Sequence, residues 1–185
     1  LLRKRVIVTR ITHPKPFTES NTVEALIRDL LCGAQPVPSV VTTREQGPGY
    51  ATAGLAGRGV GWHFVPGPSL NRGIQDVLVE EYVRAALVRL NPAIAAQPDR
   101  ADEVIHKLRA IVLGVRSDGL VRANEEFTAW LRGERSLPFG PHGQHVTVRL
   151  VDFTDLANNH YVASTQVTFR AGPAERRADI MLYVN

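Results

Sequence analysis

The residues with the clearest chemical potential stand near the end of this 185-residue chain. Arg176 and Arg177 are followed by Ala178, Asp179 and the run Ile180-Met181-Leu182-Tyr183-Val184-Asn185. The run is rich in β-formers, so Asp179 stands at the mouth of a strand. A carboxylate drawn into such a position costs free energy unless something pairs with it. A divalent cation is one such partner, and phosphate chemistry needs one. The alternative is a solvated ion pair with Arg176 or Arg177, worth about 0–1 kcal/mol.

Other candidate groups are weaker. His142 and His145 form an H-x-x-H pair, but the spacing spans a Pro-Gly loop, and a zinc site needs further ligands. Gly57-Arg58-Gly59-Val60-Gly61 lacks the full glycine fingerprint of a nucleotide loop, and no G-x-x-x-x-G-K-[ST] is present. It reads as a loop. Cys32 is the single cysteine, so neither a disulfide nor a Cys-x-x-Cys zinc site is expected within the chain. Trp130 sits at helical spacing among apolar residues and reads as a core anchor rather than a base-stacking platform.

The elements that must position these groups can be read from periodicity. Residues 3–10 suit an edge strand, broken by His13-Pro14-Lys15-Pro16. Residues 20–32 form the clearest helix, with Val23, Leu26, Ile27, Leu30 and Leu31 on one apolar face, Ser20 or Asn21 as cap and Gly33 as stop. Glu24 lies at the edge of that stripe, where it can cap Asn21 and pair with Arg28 one turn on. Residues 33–73 are loop-rich, with short strands expected at 37–42 and 61–65. Helices follow at 79–90, ended by Asn91-Pro92, at 99–112 with Asp99 as cap, and at 120–132, ended by Gly133. Strands are expected at 145–153, 161–170 and 179–185, and their short connections favour antiparallel neighbours in one sheet, with the 20–32 helix packed on it.

The run Arg176-Arg177-Ala178-Asp179-Ile180 to Val184-Asn185 resembles the first metal-site strand of the PD-(D/E)xK nucleases. It is most similar to the form in the R subunit of type I restriction enzymes, roughly Arg-Arg-Pro-Asp-Ile-x-x-x-Val-Asn. Further stretches look like the same family: Thr18 to Glu24, Val88-Arg89-Leu90-Asn91-Pro92, Val148 to Phe153 with Asn158-Asn159, and Thr165-Gln166-Val167-Thr168. Their order spans residues 18–185. Ala178 stands where the family often has proline. A Glu-x-Lys strand follows in the family, and the chain given stops at Asn185 before it.

The resemblance implies an α/β fold, a restriction-endonuclease-like mixed sheet flanked by helices. It implies one nuclease-like domain over 1–185, incomplete at its C-terminus, with a loop-rich and helical insertion at 33–135. It implies Mg²⁺-dependent cleavage of double-stranded DNA, with Asp179 as metal ligand and catalytic residue. Glu24 is a second catalytic candidate on the first core helix, with Glu19 behind it. Arg176 and Arg177 would contact DNA phosphates. Sequence choice would belong to partner modification and specificity subunits, and ATP would be used only by a motor region outside this chain. Without the Glu-x-Lys strand, residues 1–185 alone are expected not to cut DNA. The alternative is a non-catalytic module that binds DNA or partner subunits.

Bulk properties agree with this reading without choosing it. The net charge is +4 and the pI about 9.6, which permits polyanion binding. The cations are scattered, so a solvated mixed-charge surface suits most of them. Hydrophobic content of 44% with mean hydropathy near zero fits a globular chain. No apolar run reaches the roughly 20 residues of a membrane span. The apolar stretch behind Arg3, Lys4 and Arg5 is too short for a signal peptide. A reducing cytoplasm fits the lone cysteine.

Overall fold

The computed structural model describes residues 19–33 and 59–185, with residues 19–22 and 171 described by backbone alone. The strands expected at 3–10 and 37–42, the side chain of Glu19, and Gly57 and Arg58 lie outside the described residues. The elements are α1 (Glu19–Cys32), β1 (His63–Phe64), α2 (Glu80–Leu90), α3 (Pro92–Ala95), α4 (Arg100–Asp118), α5 (Leu120–Leu131), β2 (Ser136–Leu137), β3 (Val146–Thr147), β4 (Tyr161–Ala171) and β5 (Ala174–Val184).

The sheet that carries Asp179 runs β1-β4-β5. β1 is parallel to β4, with His63 opposite Val162. β4 and β5 form a long antiparallel hairpin, from Tyr161 opposite Val184 to Ala171 opposite Ala174. Helix α1 packs against all three strands. A mixed sheet with flanking helices is therefore present, as expected for the fold class. Gly33, at φ +82°, ends α1 in the left-handed region that glycine enters without steric cost.

Two apolar clusters hold the chain together. One joins Leu87, Ile94, Val104, Leu108, Trp130, Phe139, Val148 and others between the helices and the β2–β3 ribbon, and it buries Trp130 as expected. The other joins Leu70, Val79 and Val167 with Tyr82, Phe169, Met181 and Tyr183. Helix α2 touches both clusters, with Tyr82 toward the sheet and Leu87 toward the helices.

Several expectations are corrected. Residues 145–153 are not the third strand of the sheet. Only Val146–Thr147 are extended in a ladder, and they pair with Ser136–Leu137 in a separate two-stranded ribbon. The cause is that the backbone here is satisfied elsewhere. Arg149 N–H donates to Asn91 Oδ1 at 2.7 Å, Asn91 Nδ2 donates to the Arg149 carbonyl at 2.8 Å, and Asp152 N–H donates to Asn159 Oδ1 at 2.8 Å. Val148 N–H donates to the Arg135 carbonyl, and Val148 and Leu150 are buried in the helical cluster. The third helix is also longer than expected and runs on to Asp118, and Asp99 makes no side-chain capping bond.

The buried face of α1 differs too. Val23, Leu26 and Leu30 are exposed, whereas Glu24 is only 6% exposed and Ile27, Arg28 and Leu31 are half-buried. The helix thus turns the 24-27/28-31 line toward the sheet. Periodicity marks the apolar stripe, but the partner across from it decides which edge of the stripe is covered.

Candidate functional site

Asp179 lies on β5, exposed, where the sequence pattern puts it. Arg176 and Arg177 precede it on the same strand, also exposed, opposite Phe169 and Thr168 of β4. Among the described residues no ion pair joins Asp179 to either arginine. Their outer neighbour Glu175 instead pairs with Arg170 at 2.8 Å.

Glu24 does not pair with Arg28. Arg28 turns to Asp29 at 2.8 Å and lies over the Phe64 ring, 5.4 Å from its centroid. The buried Glu24 carboxylate meets Gln166 of β4, whose Nε2 donates to both of its oxygens at 2.8 and 2.7 Å. Among the described residues no cation reaches it. Its hydrogen bonds are met by a neutral amide, with no ion pair among the described residues.

The β4–β5 ladder pairs Thr165 with Ile180 and Val167 with Ala178 and is interrupted between them, at Gln166 and Asp179. Gln166 has φ +57°, a left-handed conformation rare for a side-chain-bearing residue in a strand. The facing pattern of β4 changes phase there. Ser164 opposes Met181, yet Val167 and Phe169 join Met181 and Tyr183 in one cluster. An unbroken two-residue alternation would send them to the other face.

The neighbouring loop braces this irregular segment. A Cβ on Gly67 would stand 2.6 Å from the Thr165 carbonyl oxygen and 2.9 Å from that of Gln166, so only glycine admits the approach. Arg72 donates to the Thr168 carbonyl through Nη2 and to the Asp76 carbonyl through Nη1. Its guanidinium lies 4.2 Å from the centroid of Phe169. Arg170 N–H donates to the Ile74 carbonyl at 2.9 Å.

Two other stretches that carry the resemblance, 88–92 and 148–159, meet the end of the Arg176–Asn185 run in space. Arg89 donates to the Asn158 carbonyl and to Asn185 Oδ1, both at 2.7 Å. Asn185 Nδ2 donates to the Leu150 carbonyl and to Asn159 Oδ1. This network anchors the far end of β5. The carboxyl of Asp152 is held below the usual carboxylate range by Asn158 and by the N–H groups of Asp155 and Thr154.

Among the described residues no group of three or more His, Cys, Asp or Glu side chains is arranged to hold a metal ion. Asp179 on β5 and Glu24 on α1 make no ion pair among the described residues, and each is a hard oxygen donor of the kind Mg²⁺ takes. His145 stands 3.3 Å from Ser136 Oγ through Nδ1, on the separate ribbon. Gly67 escaped the sequence reading, and Gln166 entered it only within the stretch Thr165-Gln166-Val167-Thr168, with no role assigned.

No curated protein and no solved structure gives a significant match to the chain. The family model described as type I restriction enzyme R protein N terminus matches residues 55–185. The matched span contains Arg176, Arg177, Asp179 and Gln166 and begins after Glu24. It covers more than half of the chain, which therefore belongs to the family of type I restriction enzyme R protein N-terminal domains.

Proposed function

We propose that this chain supplies the first metal-site strand of a Mg²⁺-dependent endonuclease that cuts double-stranded DNA. It would work as part of an R subunit, in the cytoplasm, with modification and specificity subunits that choose the site. The observation that carries the reading is the exposed Asp179 on β5, just past Arg176 and Arg177, within the span that the restriction family model matches. Membership of the restriction family gives that arrangement its context.

In this reading Asp179 offers an exposed oxygen to the cation, and Glu24 on α1 is the candidate for a second carboxylate. Bound there, Mg²⁺ would polarise the scissile phosphate and lower the pKa of water. Arg176 and Arg177, exposed on the same strand, would bind backbone phosphates and give affinity without sequence reading.

The test is Asp179→Ala in the full-length subunit assembled with its partners. Plasmid cleavage should fall by about 10²–10³ or more, a typical loss when charge stabilisation at a reacting centre is removed. ATP hydrolysis should persist, because no phosphate-binding loop lies in this chain. Cleavage at the wild-type rate would falsify the assignment of Asp179 and leave a binding module as the better reading.

A further inference from the structure

We propose that the groove between the α2–α3 corner and the open edge of β3 receives an extended, acidic segment of a partner polypeptide, which adds to β3 as a further strand. This surface is independent of the metal site proposed above.

The groove encloses about 460 Å³, and Leu90, Pro92, Ile94, Phe139, Val146 and Thr147 are among the residues that line it. The β2–β3 register shows which way its strand faces. Ser136 opposes Thr147, and Val148 N–H donates to the Arg135 carbonyl. In an antiparallel pair that pattern makes Thr147 a residue without ladder bonds to β2, so its N–H and C=O point outward. Arg149, two residues on, turns its N–H and C=O to the same edge. There the Asn91 side chain stands in for a strand. It accepts from the Arg149 N–H at 2.7 Å and donates to the Arg149 carbonyl at 2.8 Å. Thr147 has no such partner among the described residues.

Unpaired backbone groups on an edge are a template for another chain. Strand addition is a recurring way for one protein to hold an extended segment of another, with main-chain bonds for affinity and pockets for alternate side chains. Thr147 supplies the bonds and the apolar lining supplies the pocket. Asn91 marks where the added strand must stop, because the place beside Arg149 is already filled.

Charge selects the occupant. Among the described residues no Asp or Glu lines the groove, whereas the exposed Arg149 does. Asp152 feels the charge of Arg149, but the two make no ion pair, and the Asp152 carboxylate accepts from Asn158 and from the N–H groups of Thr154 and Asp155. Arg100 is a second cation beside the groove. It donates to the carbonyls of Ala93 and Phe139 at 2.9 and 2.7 Å and lies 5.0 Å from the Phe139 ring centroid. It too has no ion pair among the described residues. Cations without a carboxylate partner around an apolar groove complement a segment in which acids alternate with apolar residues.

The test uses the full-length protein and fluorescein-labelled, capped octapeptides that alternate aspartate with valine, isoleucine or leucine. Fluorescence anisotropy measures binding. The tightest peptide should lose about tenfold or more in affinity when its aspartates become lysines, because like charges then meet. N-methylation of the amides that face β3 should cost a similar factor by removing the main-chain bonds. Thr147→Pro removes the outward N–H and leaves the bonds to β2, a change that edge strands tolerate. It should weaken binding by about 3–10-fold, the size of one net hydrogen bond. Arg149→Glu leaves the backbone bonds to Asn91 in place and should weaken binding by about tenfold. Thermal melts report whether each variant is folded, and the modified peptides test the same contacts on the wild-type protein.

Failure of every acidic peptide to bind the wild-type protein would overturn the proposal. Equal binding of the lysine peptide or of the N-methylated peptide would do so too, against the charge preference or against strand addition. If Arg149→Glu weakens binding of a duplex oligonucleotide and leaves peptide binding unchanged, the surface serves nucleic acid and the proposal falls.

Discussion

At the scale of single residues, the polar groups that matter in this chain are those whose partners lie far away in sequence. Glu24 and Gln166 are 142 positions apart, yet each satisfies the other. Asp152 shows the local version. Its carboxylate accepts from the N–H groups of Thr154 and Asp155 and from Asn158 Nδ2, and these bonds hold its pKa below the ordinary value of 3.8. A carboxyl group with a depressed folded pKa stabilises the fold above its unfolded pKa, and that contribution is lost as pH falls through the folded value. Asp152→Ala should therefore lower the melting temperature at pH 7. The gap from wild type should close as pH drops below about 4, the unfolded carboxylate range. Thermal melts of both proteins from pH 7 to pH 3 check this, and a gap that stays constant across that range would sink it.

At the scale of elements, Asn91 decides where residues 148–150 go. It is buried, and its side chain makes three hydrogen bonds, to the carbonyls of Leu87 and Arg149 and from the N–H of Arg149. It thereby replaces the ladder partner that this segment would otherwise need. Asn91→Ala leaves the part-buried N–H and carbonyl of Arg149 without their partner, at up to about 1–3 kcal/mol each. Chemical denaturation should report a loss of about 2–4 kcal/mol on that basis. A loss under about 0.5 kcal/mol, the size of an ordinary surface substitution, would mean that water or a shifted backbone replaces the amide. The contrast with β4 is instructive. There the ladder is continuous on both sides of Gln166, and the loop carrying Gly67, Arg72 and Ile74 supports the strand's other edge.

At the scale of the whole molecule, a net charge of +4 spread over 22 Lys and Arg and 18 Asp and Glu does not by itself make a DNA-binding face. Much of that charge is locally paired among the described residues, as in Arg84–Asp102, Arg109–Glu80 and Arg135–Glu126. Arg176 and Arg177 are exposed cations on the same strand as Asp179, and make no ion pair among the described residues. Each phosphate contact contributes about 0.9 to the slope of log affinity against log salt for duplex DNA. In the full-length protein, replacing both arginines with alanine should reduce that slope by about 2 on the same basis. Fluorescence anisotropy across a salt series measures it. Equal slopes would place the DNA contacts on other cations.

The local sequence determined the helices, the β4–β5 hairpin and the place of Asp179 on its strand. Periodicity, turn residues and helix stops act within a few residues, so α1, α2, α5 and the turn at Gly172 are legible without any partner. The exposed arginines and the family resemblance were legible for the same reason, because they rest on contiguous residues. Only the tertiary structure decided which edge of α1 is buried, that Arg28 turns to Asp29, and that Glu24 meets Gln166. It also decided that residues 146–150 leave the sheet for the helical core. These outcomes depend on which backbone and side-chain groups arrive from distant parts of the chain to satisfy buried donors and acceptors, and no pattern of neighbouring residues encodes that arrival.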